Sequence, residues 1–545
     1  MSFVVAASAT IAAAPAVAAT PNTPYGTTAL LAPPGDQQAG GRWGERTAAP
    51  HADYNHDGVP DLFVGDPSET VGSLTAQGRV FLLSGKATGE GRTVVLRTFD
   101  SPEPQTQAHF GFFISVIGDV NGDGKPDTAI GTDAQNTTAD GTSCTPPAAG
   151  CNTRQGKAWV FSGATGQLLY ALTDPNPQPQ ARFGSRIGRA GDVNGDGVRD
   201  IIVGASGEDV PTGCSYDPVT GQPLATLPDG CHKGQGQAFI FSGANGHLIR
   251  TLNLPDQVPT PSGSPCQSSC GSFGLAVQGP GDVNGDGVPD QLVDAGSYNY
   301  STTSTPPGAP CAAGSPGCNT SQGRMYLFSG KDGSLIRRID DPEPQAGAFF
   351  GFQDVTPRSP GDVGSLLPDG TIGPQDGVPD IYGEGFLQNS PLVGQGKAWV
   401  FDGKTGGVLY SLTSPTPQQG AQFGWSMART NYNFNQFPDL YVGASPHHVP
   451  GATGSGESEV FGGHEGRLLK PLELPAQCVQ PSTPSNLGPN LGWTVSAPGD
   501  LNGDGQPDYV AGAPFEDIGT NQDQGLLFVF VSNPGPHLPP PPCTS

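Results

Sequence analysis

Acidic and amide side chains recur along the chain at a spacing that suits a metal ion. The run DVNGDGVPD, from Asp282 to Asp290, carries side-chain oxygens at its positions 1, 3, 5 and 9, and this nine-residue pattern can be read seven times in 545 residues. Alternate positions of a tight loop turn their oxygens inward, and Gly287 at position 6 supplies the positive φ that folds the chain back. Three carboxylates, an amide, the carbonyl of Val288 and water would satisfy Ca²⁺, a hard cation that takes about six to eight oxygens. The pattern therefore predicts calcium loops.

Five loops keep the full pattern and are predicted to bind Ca²⁺ through positions 1, 3, 5, 7 and 9. The predicted metal residues are Asp53, Asn55, Asp57, Val59 and Asp61; Asp119, Asn121, Asp123, Lys125 and Asp127; Asp192, Asn194, Asp196, Val198 and Asp200; Asp282, Asn284, Asp286, Val288 and Asp290; and Asp500, Asn502, Asp504, Gln506 and Asp508. Position 7 would contribute its backbone carbonyl. No catalytic residue and no other cofactor is predicted.

Two further loops depart from the pattern. The loop between Asp362 and Asp380 keeps DGVPD at its end but carries an insertion that separates Asp362 from Asp376. The other has lost three carboxylates and has Gln436 where the glycine belongs. Its members are Asn431, Asn433, Asn435 and Asp439. In this last loop we expect turns closed by amide side chains and no strong calcium binding.

A helical calcium module such as an EF-hand is the competing interpretation of the acidic pattern. Position 12 of an EF-hand is a bidentate Glu. In the five intact loops this position is apolar, and the residues are Val64, Ile130, Val203, Val293 and Ala511. Such residues belong to β-strands, so the loops are predicted to connect strands.

Each acidic loop lies in the same frame of apolar segments. An aromatic residue followed by glycine precedes the loop, and a short apolar strand follows it. The pairs are Phe110-Gly111, Phe183-Gly184, Phe273-Gly274, Phe350-Gly351 and Phe423-Gly424, with weaker versions at Trp43-Gly44 and Leu491-Gly492. Next come a strand such as KAWVFSG, ending at Gly163, and a strand such as that around Leu168 to Tyr170. The frame predicts four strands per repeat.

The repeats predict an all-β fold, a seven-bladed β-propeller of four-stranded antiparallel blades with calcium loops between strands 1 and 2. Successive loops are 66 to 90 residues apart, which suits one blade with insertions. Units whose cores are incomplete alone close most simply into a ring. The propeller is predicted to span residues 41–531, followed by a Pro-rich tail, 532–545.

The last repeat has no fourth strand, because it ends at Val531 and passes into SNPGPHLPPPPCTS. A strand edge left open where the ring closes needs a partner. We expect the N-terminal segment, 20–40, to supply it, with residues near Thr27 to Leu31 as the outer strand of blade seven.

Charge limits the partners of the chain. Its formal net charge is −25, from 25 basic and 50 acidic residues, and it has no basic run. Nucleic acid and anionic membranes are therefore not expected partners. No membrane span is predicted, since no stretch of about 20 apolar residues follows the N-terminal run. We expect a monomer.

The start of the chain favours secretion. MSFVVAASATIAAAPAVAATP is an apolar, Ala-rich run ending in Ala16-Val17-Ala18, the small-residue form of a cleavage site, so residues 1–19 are predicted to be a signal peptide. The n-region of this run has no Lys or Arg, and a start further upstream or a disordered tail are the alternatives. Cysteine usage agrees with an extracellular location.

Ten cysteines fall into near neighbours, and local disulfides are the simplest pairing. The pairs are Cys144 with Cys151, Cys214 with Cys231, Cys266 with Cys270, Cys311 with Cys318, and Cys478 with Cys543. Zinc is the weaker alternative because no CxxC pair is present.

The recurring aromatic-Gly pair, acidic loop and Gly-Ala-Pro segment resemble the FG-GAP repeat of the N-terminal head of integrin α-subunits, a seven-bladed β-propeller that secreted bacterial proteins and some enzymes also carry. The resemblance covers residues 41–531. It implies that the calcium loops join strands 1 and 2 on one rim, and that ligands bind on the opposite rim through the 2–3 and 4–1 connections. It does not extend to the other integrin domains, so cell adhesion is not implied directly.

Long connections are predicted on that opposite rim. Three of the cysteine pairs fall between strands 2 and 3, while Cys266, Cys270 and Cys478 fall between strand 4 and the next strand 1. Binding sites concentrate on such loops, although tolerated surface decoration is the alternative. A Pro-x-Pro-Gln element recurs in the 4–1 connections at 102–105, 175–178, 342–345 and 415–418, and we interpret it mainly as a rigid turn.

These features favour a secreted, calcium-stabilised binding or adhesion module for a protein or glycan ligand. A secreted polysaccharide lyase or hydrolase and a passive wall or matrix component are the alternatives. The nine histidines are scattered, and no GxSxG or HExxH motif is present, so an enzyme is the less favoured class.

Overall fold

Short apolar segments between the acidic loops form the strands of seven sheets. The structure, a computed structural model, describes residues 24–542 except 34, 149, 216–223, 225, 227, 229, 257–270, 306, 353–358, 446–454, 476–477, 479–487 and 537. Within these residues, six of the seven sheets have four antiparallel strands and one has three, and a two-stranded hairpin stands apart from them. The seven-bladed β-propeller predicted from the repeats is confirmed.

The strands of each blade run from the central channel outward. β1 (Tyr25–Leu30) precedes the first blade. Blade one has β2 (Arg46–Ala48), β3 (Leu62–Asp66), β4 (Arg79–Leu83) and β5 (Val95–Phe99), with helix α1 (Gly85–Gly89) after β4. Blade two has β6 (Phe113–Gly118), β7 (Asp127–Thr132), β8 (Lys157–Phe161) and β9 (Leu168–Leu172). Blade three has β10 (Arg186–Gly191), β11 (Asp200–Ala205), β12 (Gln237–Phe241) and β13 (Leu248–Asn253).

Blade four has β14 (Phe273–Gly281), β15 (Asp290–Ala295), β18 (Met325–Phe328) and β19 (Leu335–Ile339), with β16 (Tyr300–Ser301) and β17 (Cys318–Asn319) in a separate hairpin. Blade five has β20 (Ile381–Gly385), β21 (Lys397–Phe401) and β22 (Val408–Leu412). Blade six has β23 (Phe423–Thr430), β24 (Asp439–Ala444), β25 (Glu457–Phe461) and β26 (Leu468–Leu472). Blade seven has β27 (Thr494–Gly499), β28 (Asp508–Ala513) and β29 (Leu526–Ser532).

The core of the propeller is divided into seven apolar clusters, one between each pair of neighbouring blades. The aromatic-Gly pairs supply part of this core. Phe110, fully buried, lies between blades one and two, with its ring 5.7 Å from that of Trp159 and in one cluster with Phe63. No blade buries both of its faces alone, so the blades stabilise one another only in the ring.

Close contact between blades explains a glycine that precedes the third strand. Gly156 has φ 84°, and a Cβ atom there would lie 2.1 Å from the carbonyl oxygen of Phe183 in the next blade. Only glycine permits both the backbone conformation and the approach.

The N-terminal segment closes the ring. β1 pairs antiparallel with β29, from Tyr25 opposite Ser532 to Leu30 opposite Leu527, and completes the fourth strand of blade seven. The indole of Trp43 donates to the carbonyl of Leu30 at 3.0 Å. The outer position that the sequence analysis assigned to residues near Thr27 to Leu31 is thus occupied by β1, and the edge of β29 is covered.

Some predicted features lie outside the described residues. These are the signal peptide, 1–19, and at least one cysteine of the pairs Cys266–Cys270 and Cys478–Cys543. The limits of the propeller at residues 41 and 531 stay a prediction. No helix in the described part of the chain is long and apolar enough to cross a membrane.

Candidate functional site

The connections between strands divide the propeller into two faces. The acidic face carries the loops between strands 1 and 2, which hold the predicted calcium residues. In blades two, three, four and seven the aspartate at position 9 is also the first residue of the second strand. The opposite face carries the connections between strands 2 and 3 and between one blade and the next. Successive strands are antiparallel, so the two sets of connections must lie at opposite ends of the blades.

The loop of blade four shows how the intact acidic loops are built. Asp282 accepts hydrogen bonds from the backbone N–H of Gly285 at 2.7 Å and of Gly287 at 2.8 Å. Asn284 donates from Nδ2 to both Asp286, at 3.0 Å, and Asp290, at 3.3 Å. The side chains at positions 3, 5 and 9 therefore converge on one point inside the loop.

The other intact loops repeat this arrangement. In each of them the carboxylate at position 1 accepts the N–H of the glycine at position 6, at 2.7–2.9 Å, and these pairs are Asp53 with Gly58, Asp119 with Gly124, Asp192 with Gly197, and Asp500 with Gly505. The asparagine at position 3 donates to the aspartate at position 5 in the loops of blades one, two and three. In blade seven Asn502 donates instead to the carbonyl of Ser532.

The aspartate at position 9 is the buried member of each loop. Asp290 is fully buried and accepts N–H bonds from Val283 at 2.8 Å and Gly330 at 3.1 Å, so it ties the loop to the turn after the third strand. Burial, with the neighbouring carboxylate of Asp286, raises the pKa of Asp290. Burial and the carboxylate of Asp504 likewise act on Asp508, whose pKa rises to about 7. Each loop therefore holds a buried carboxylate that its surroundings make costly to ionise.

The donor set of these loops fits a hard cation. The side chains that converge in each loop offer carboxylate and amide oxygens, the ligands that Ca²⁺ takes. Within the described residues, however, no three His, Cys, Asp or Glu side chains are arranged as they would be around an ion. The carboxylates are turned instead to the N–H groups of their own loops.

The folded loop of blade five has the same arrangement of carboxylates as the intact loops, although an insertion interrupts the nine-residue pattern in its sequence. Asp362 accepts the N–H of Gly377 at 2.7 Å, and Asp376 accepts the N–H of Val378 at 3.0 Å, as positions 1 and 5 do in the intact loops. Asp380 takes position 9 and accepts the N–H of Val363 at 2.8 Å. The inserted residues project from the loop as a short segment, in which Leu366 and Ile372 form an antiparallel β-bridge. The structure thus adds a sixth loop with three carboxylates.

The loop of blade six is closed by amides, as predicted. Asn433 accepts the N–H of Asn435 at 3.0 Å, and Asn435 accepts the N–H of Phe437 at 2.8 Å. Its single carboxylate, Asp439, accepts the N–H of Gly463 at 3.1 Å.

Disulfide-braced connections lie on the opposite face, as predicted. The bonds Cys144–Cys151, Cys214–Cys231 and Cys311–Cys318 are present, each between the second and third strands of its blade. The Pro-x-Pro-Gln element supports these connections. Gln105 donates to the carbonyl of Asn136 at 2.8 Å and accepts that residue's N–H at 3.0 Å. For this element, the structural interpretation is the one that the contacts support.

A run of aromatic side chains crosses the opposite face beside the mouth of the channel. We call Phe352, Phe386, Trp425, Trp493 and Phe515 the aromatic arc. Successive ring centroids are 5.1, 5.1, 4.9 and 5.2 Å apart. Phe352, Trp425 and Trp493 directly follow an aromatic-Gly pair or its equivalent. Phe386 and Phe515 follow β20 and β28, the strands that come after the acidic loops of blades five and seven. The arc joins blades five, six and seven.

Two features make the aromatic arc a candidate binding surface. Among the residues that the structure describes, the buried Nε1 atoms of Trp425 and Trp493 have no hydrogen-bond partner, although buried indole N–H groups usually find one. Both side chains remain partly exposed. At the blade-one end, the guanidinium of Arg42 stacks 5.0 Å from the ring of Phe515. Partly exposed aromatic surface and a cation are thus combined at one place.

No residue of this arc is predicted from the sequence. A signal was present, because an aromatic residue directly follows the aromatic-Gly or equivalent pair at Phe112, Phe352, Trp425 and Trp493. The pairs mark the start of the first strands, and those starts surround the channel mouth only once the ring has closed.

Comparison with known proteins agrees with the fold. The FG-GAP repeat model matches residues 183–222 and 491–530. The chain is 28% identical over 254 residues to integrin alpha-5 of Xenopus laevis, covering 46% of this chain and 19% of that protein. It is 29% identical over 197 residues to integrin alpha-IIb of Mus musculus, covering 35% and 15%. The chain is therefore an integrin-α-like β-propeller with FG-GAP repeats.

A second kind of relative carries a similar segment. The phosphatidylinositol-glycan-specific phospholipase D of Homo sapiens is 34% identical over 118 residues, which are 22% of this chain and 13% of that enzyme. The match to each of these relatives thus covers less than a fifth of the relative's own length. The similarity concerns the propeller repeats.

Proposed function

We propose that this protein is an extracellular ligand-binding module that holds a protein or glycan ligand on the opposite face of a calcium-stabilised propeller. The aromatic arc, with the partly exposed side chains of Trp425 and Trp493 and the guanidinium of Arg42 at its end, is the observation that carries the proposal. The integrin-α-like fold and the disulfide bonds support it, since disulfides persist in oxidising compartments.

The arc has the properties of the centre of an interface. Aromatic and arginine side chains are enriched in such centres, where a few residues supply most of the binding energy. A ligand that packs against the exposed parts of the Trp425 and Trp493 side chains would remove apolar surface from water. The disulfide-braced connections of blades two, three and four rise on the same face and would form a rigid border.

Binding to arrays of glycans and of extracellular proteins tests this proposal. The intact chain is probed beside Trp425→Ala and Trp493→Ala, with Phe437→Ala on the acidic face as the matched control. Truncation of a central aromatic should weaken binding of the captured ligand at least tenfold, as for interface residues that cost more than about 1.4 kcal/mol. Trp425→Phe separates the loss of the indole N–H from the loss of the ring.

The result could contradict the proposal in two ways. A ligand whose binding is unchanged in both tryptophan variants, or reduced only in Phe437→Ala, would place the binding surface elsewhere. A folded chain that captures no glycan and no extracellular protein would favour a passive structural role.

Calcium is proposed as the structural ion of the acidic loops. The residues that would hold it are those at positions 1, 3, 5, 7 and 9 of the five intact loops, together with Asp362, Asp376 and Asp380 in blade five. The ion would neutralise carboxylates that otherwise repel one another. An ion bound only by the folded state stabilises it by about 1.4 kcal/mol per site at tenfold excess over the dissociation constant.

Thermal melting with and without a chelator tests the role of calcium. Calcium should raise the melting temperature above that in EGTA, and magnesium should raise it less because it demands a smaller, octahedral site. Coincident melting curves in calcium and in EGTA would show that the loops are closed by their own hydrogen bonds alone.

A further inference from the structure

A segment between β1 and β2 bridges the last blade and the first. We call residues 35–45 the N-terminal strap. Three of its backbone N–H groups donate to carbonyl oxygens of residues 522–524 in blade seven, at 2.8–3.1 Å. Toward blade one, the side-chain amide of Gln38 donates to the backbone carbonyl of Thr70 at 3.3 Å and accepts the N–H of Thr70 at 3.1 Å. The strap is thus held to both blades.

Four carboxyl groups beside the strap share one arginine. The guanidinium of Arg79 donates to Asp36 of the strap and to Glu69, each at 2.9 Å. It also donates to Asp100 at 2.7 Å. The fourth carboxyl group is that of Asp66, on which the charges of Glu69 and Arg79 act. One guanidinium charge does not balance four carboxylates.

The strap covers the two most buried of these carboxyl groups. Asp66 and Glu69 are each 1% exposed. A Cβ atom on Gly41 would lie 3.2 Å from Oδ2 of Asp66, so the backbone of the strap passes directly over this group. Within the described part of the chain, both carboxyl oxygens of Asp66 and Oε2 of Glu69 have no hydrogen-bond partner. A buried carboxylate without hydrogen bonds is costly to ionise, and a proton removes that cost.

Burial shifts both groups in the same direction. It raises the pKa of Glu69 to about 8, and a hydrogen bond with Asp36 adds to this effect. It also raises the pKa of Asp66 well above its usual value, and the charge of Glu69 adds to that effect. The charge of Arg79 opposes both shifts without cancelling them. The charged groups around the pair are Asp36 and Glu45 of the strap, Arg79 of β4 and Asp100 after β5, while Arg42 of the strap interacts with Glu45 and with Asp523 of blade seven.

We propose that residues 35–45 act as a proton-controlled strap, which lies closed over Asp66 and Glu69 while these carboxyl groups keep their protons and opens when they lose them. The contacts of the strap with Asp66 and with Arg79 place the titrating groups directly beneath the segment that moves. Ionisation of the pair would put two further negative charges beside Asp36, and opening would admit water to hydrate them.

The direction of the pH effect follows from these shifts. A glutamate exposed to water has a pKa of about 4.3, so Glu69 binds its proton more tightly when the strap is closed. Between this value and about 8, opening releases a proton. The closed strap is therefore most stable below this range and loses stability as pH rises through it. Each proton released raises the ratio of open to closed strap about tenfold per pH unit.

Opening of the strap would change one end of the aromatic arc. Arg42 belongs to the strap, and its guanidinium stacks 5.0 Å from the ring of Phe515. Opening would remove this cation from the arc, so pH would regulate the binding surface; this consequence rests on the proposed function. The opening itself requires no ligand and is tested without one.

Hydrogen exchange of the full chain, followed by mass spectrometry between pH 5.5 and 7.5 in calcium-containing buffer, tests the strap. After correction for the intrinsic pH dependence of exchange, the open fraction in peptides covering residues 38–45 should rise at least tenfold per pH unit in the wild type. Glu69→Gln and Asp66→Asn each remove one titrating proton and keep the size of the side chain, so each should reduce this slope by about tenfold per pH unit. The matched control is Asp100→Asn, because Asp100 contacts the same arginine but its side chain is 57% exposed. It should keep the wild-type slope.

Three results would overturn the proposal. One is a corrected open fraction that does not rise with pH in the wild type. Another is a folded Glu69→Gln or Asp66→Asn chain that keeps the wild-type slope. The third is an equal loss of slope in Asp100→Asn, since any carboxylate at Arg79 would then have the same effect. If Asp66→Asn does not fold, Glu69→Gln decides alone.

Discussion

Closure of the ring by β1 can be tested with one buried side chain. Leu30 is 1% exposed and lies in the apolar cluster between blades seven and one, together with Trp43 and Leu62. Replacing a buried leucine with alanine removes apolar contact and leaves a cavity, at a cost of about 2–5 kcal/mol. The matched control is Leu168→Ala, the same substitution on an outer strand at a side chain that is 46% exposed.

The expected shift in melting temperature follows from the size of the protein. The entropy of unfolding is about 2.1 cal/mol/K per residue, which for the seven blades sums to about 1 kcal/mol/K if they unfold together. A loss of about 3 kcal/mol should then lower the melting temperature by about 3 °C. The control should cost less than about 0.5 kcal/mol and shift melting by less than 1 °C.

Differential scanning calorimetry in calcium-containing buffer measures both shifts under one condition. Leu30→Ala that melts within 1 °C of the wild type would refute the reasoning, because β1 would then contribute no packing to the ring. Equal losses in Leu30→Ala and Leu168→Ala would also refute it, since burial would not explain the difference between the two positions.

Three other predictions follow from the contacts. Gly156→Ala should destabilise the fold by more than about 2 kcal/mol, since the new Cβ would meet the carbonyl of Phe183. The control is Gly420→Ala, because Gly420 has φ 74° but open space around it. This control should lower the free energy of unfolding in denaturant by only about 1 kcal/mol, through backbone strain. Burial raises the pKa of Asp174 to about 6 and the pKa of its neighbour Glu208 well above its usual value. The folded state then holds protons that the unfolded state has lost, so the free energy of unfolding should fall as pH rises from about 4 through 6, by on the order of 3 kcal/mol for Asp174. Asp174→Asn should flatten this part of the pH–stability curve, whereas an unchanged curve would contradict the assignment. If the acidic loops hold calcium, equilibrium dialysis should count six ions bound to the wild type. Asp376→Asn of blade five should bind one ion fewer than the wild type, and Asp439→Asn of blade six should bind the same number. A wild-type count of five that Asp376→Asn leaves unchanged would show that the hydrogen-bonded loop of blade five is not a calcium site.

The local sequence pattern was sufficient to predict the repeated parts of the molecule, which are the acidic loops and the strands. The acidic loops fold through hydrogen bonds between residues two to seven apart, such as Asp282 with Gly287 and Val283 with Asp290, so their shape follows mainly from the nine residues themselves. The strands follow from short apolar runs that turn residues separate. Pairing of Cys144 with Cys151 needs only the few residues between them.

Blade five shows where local pattern was insufficient. The insertion between Asp362 and Asp376 breaks the spacing by which the loop is recognised, yet the carboxylates occupy equivalent places because the excursion around Leu366 leaves and re-enters the loop. In blade five, residues that are far apart in the sequence are therefore close together in the folded loop.

The sequence by itself determined the number of blades, the kind of loop on the acidic face and the need for a closing strand, because each depends on residues near one another in the chain or on a count of repeats. Only the tertiary structure decided which side chains meet around the channel. Trp425 and Trp493 are separated by a whole blade along the chain, and their ring centroids lie 4.9 Å apart because the closed ring brings equivalent first-strand positions together. That convergence depends on how the blades pack against one another, and no single repeat contains it.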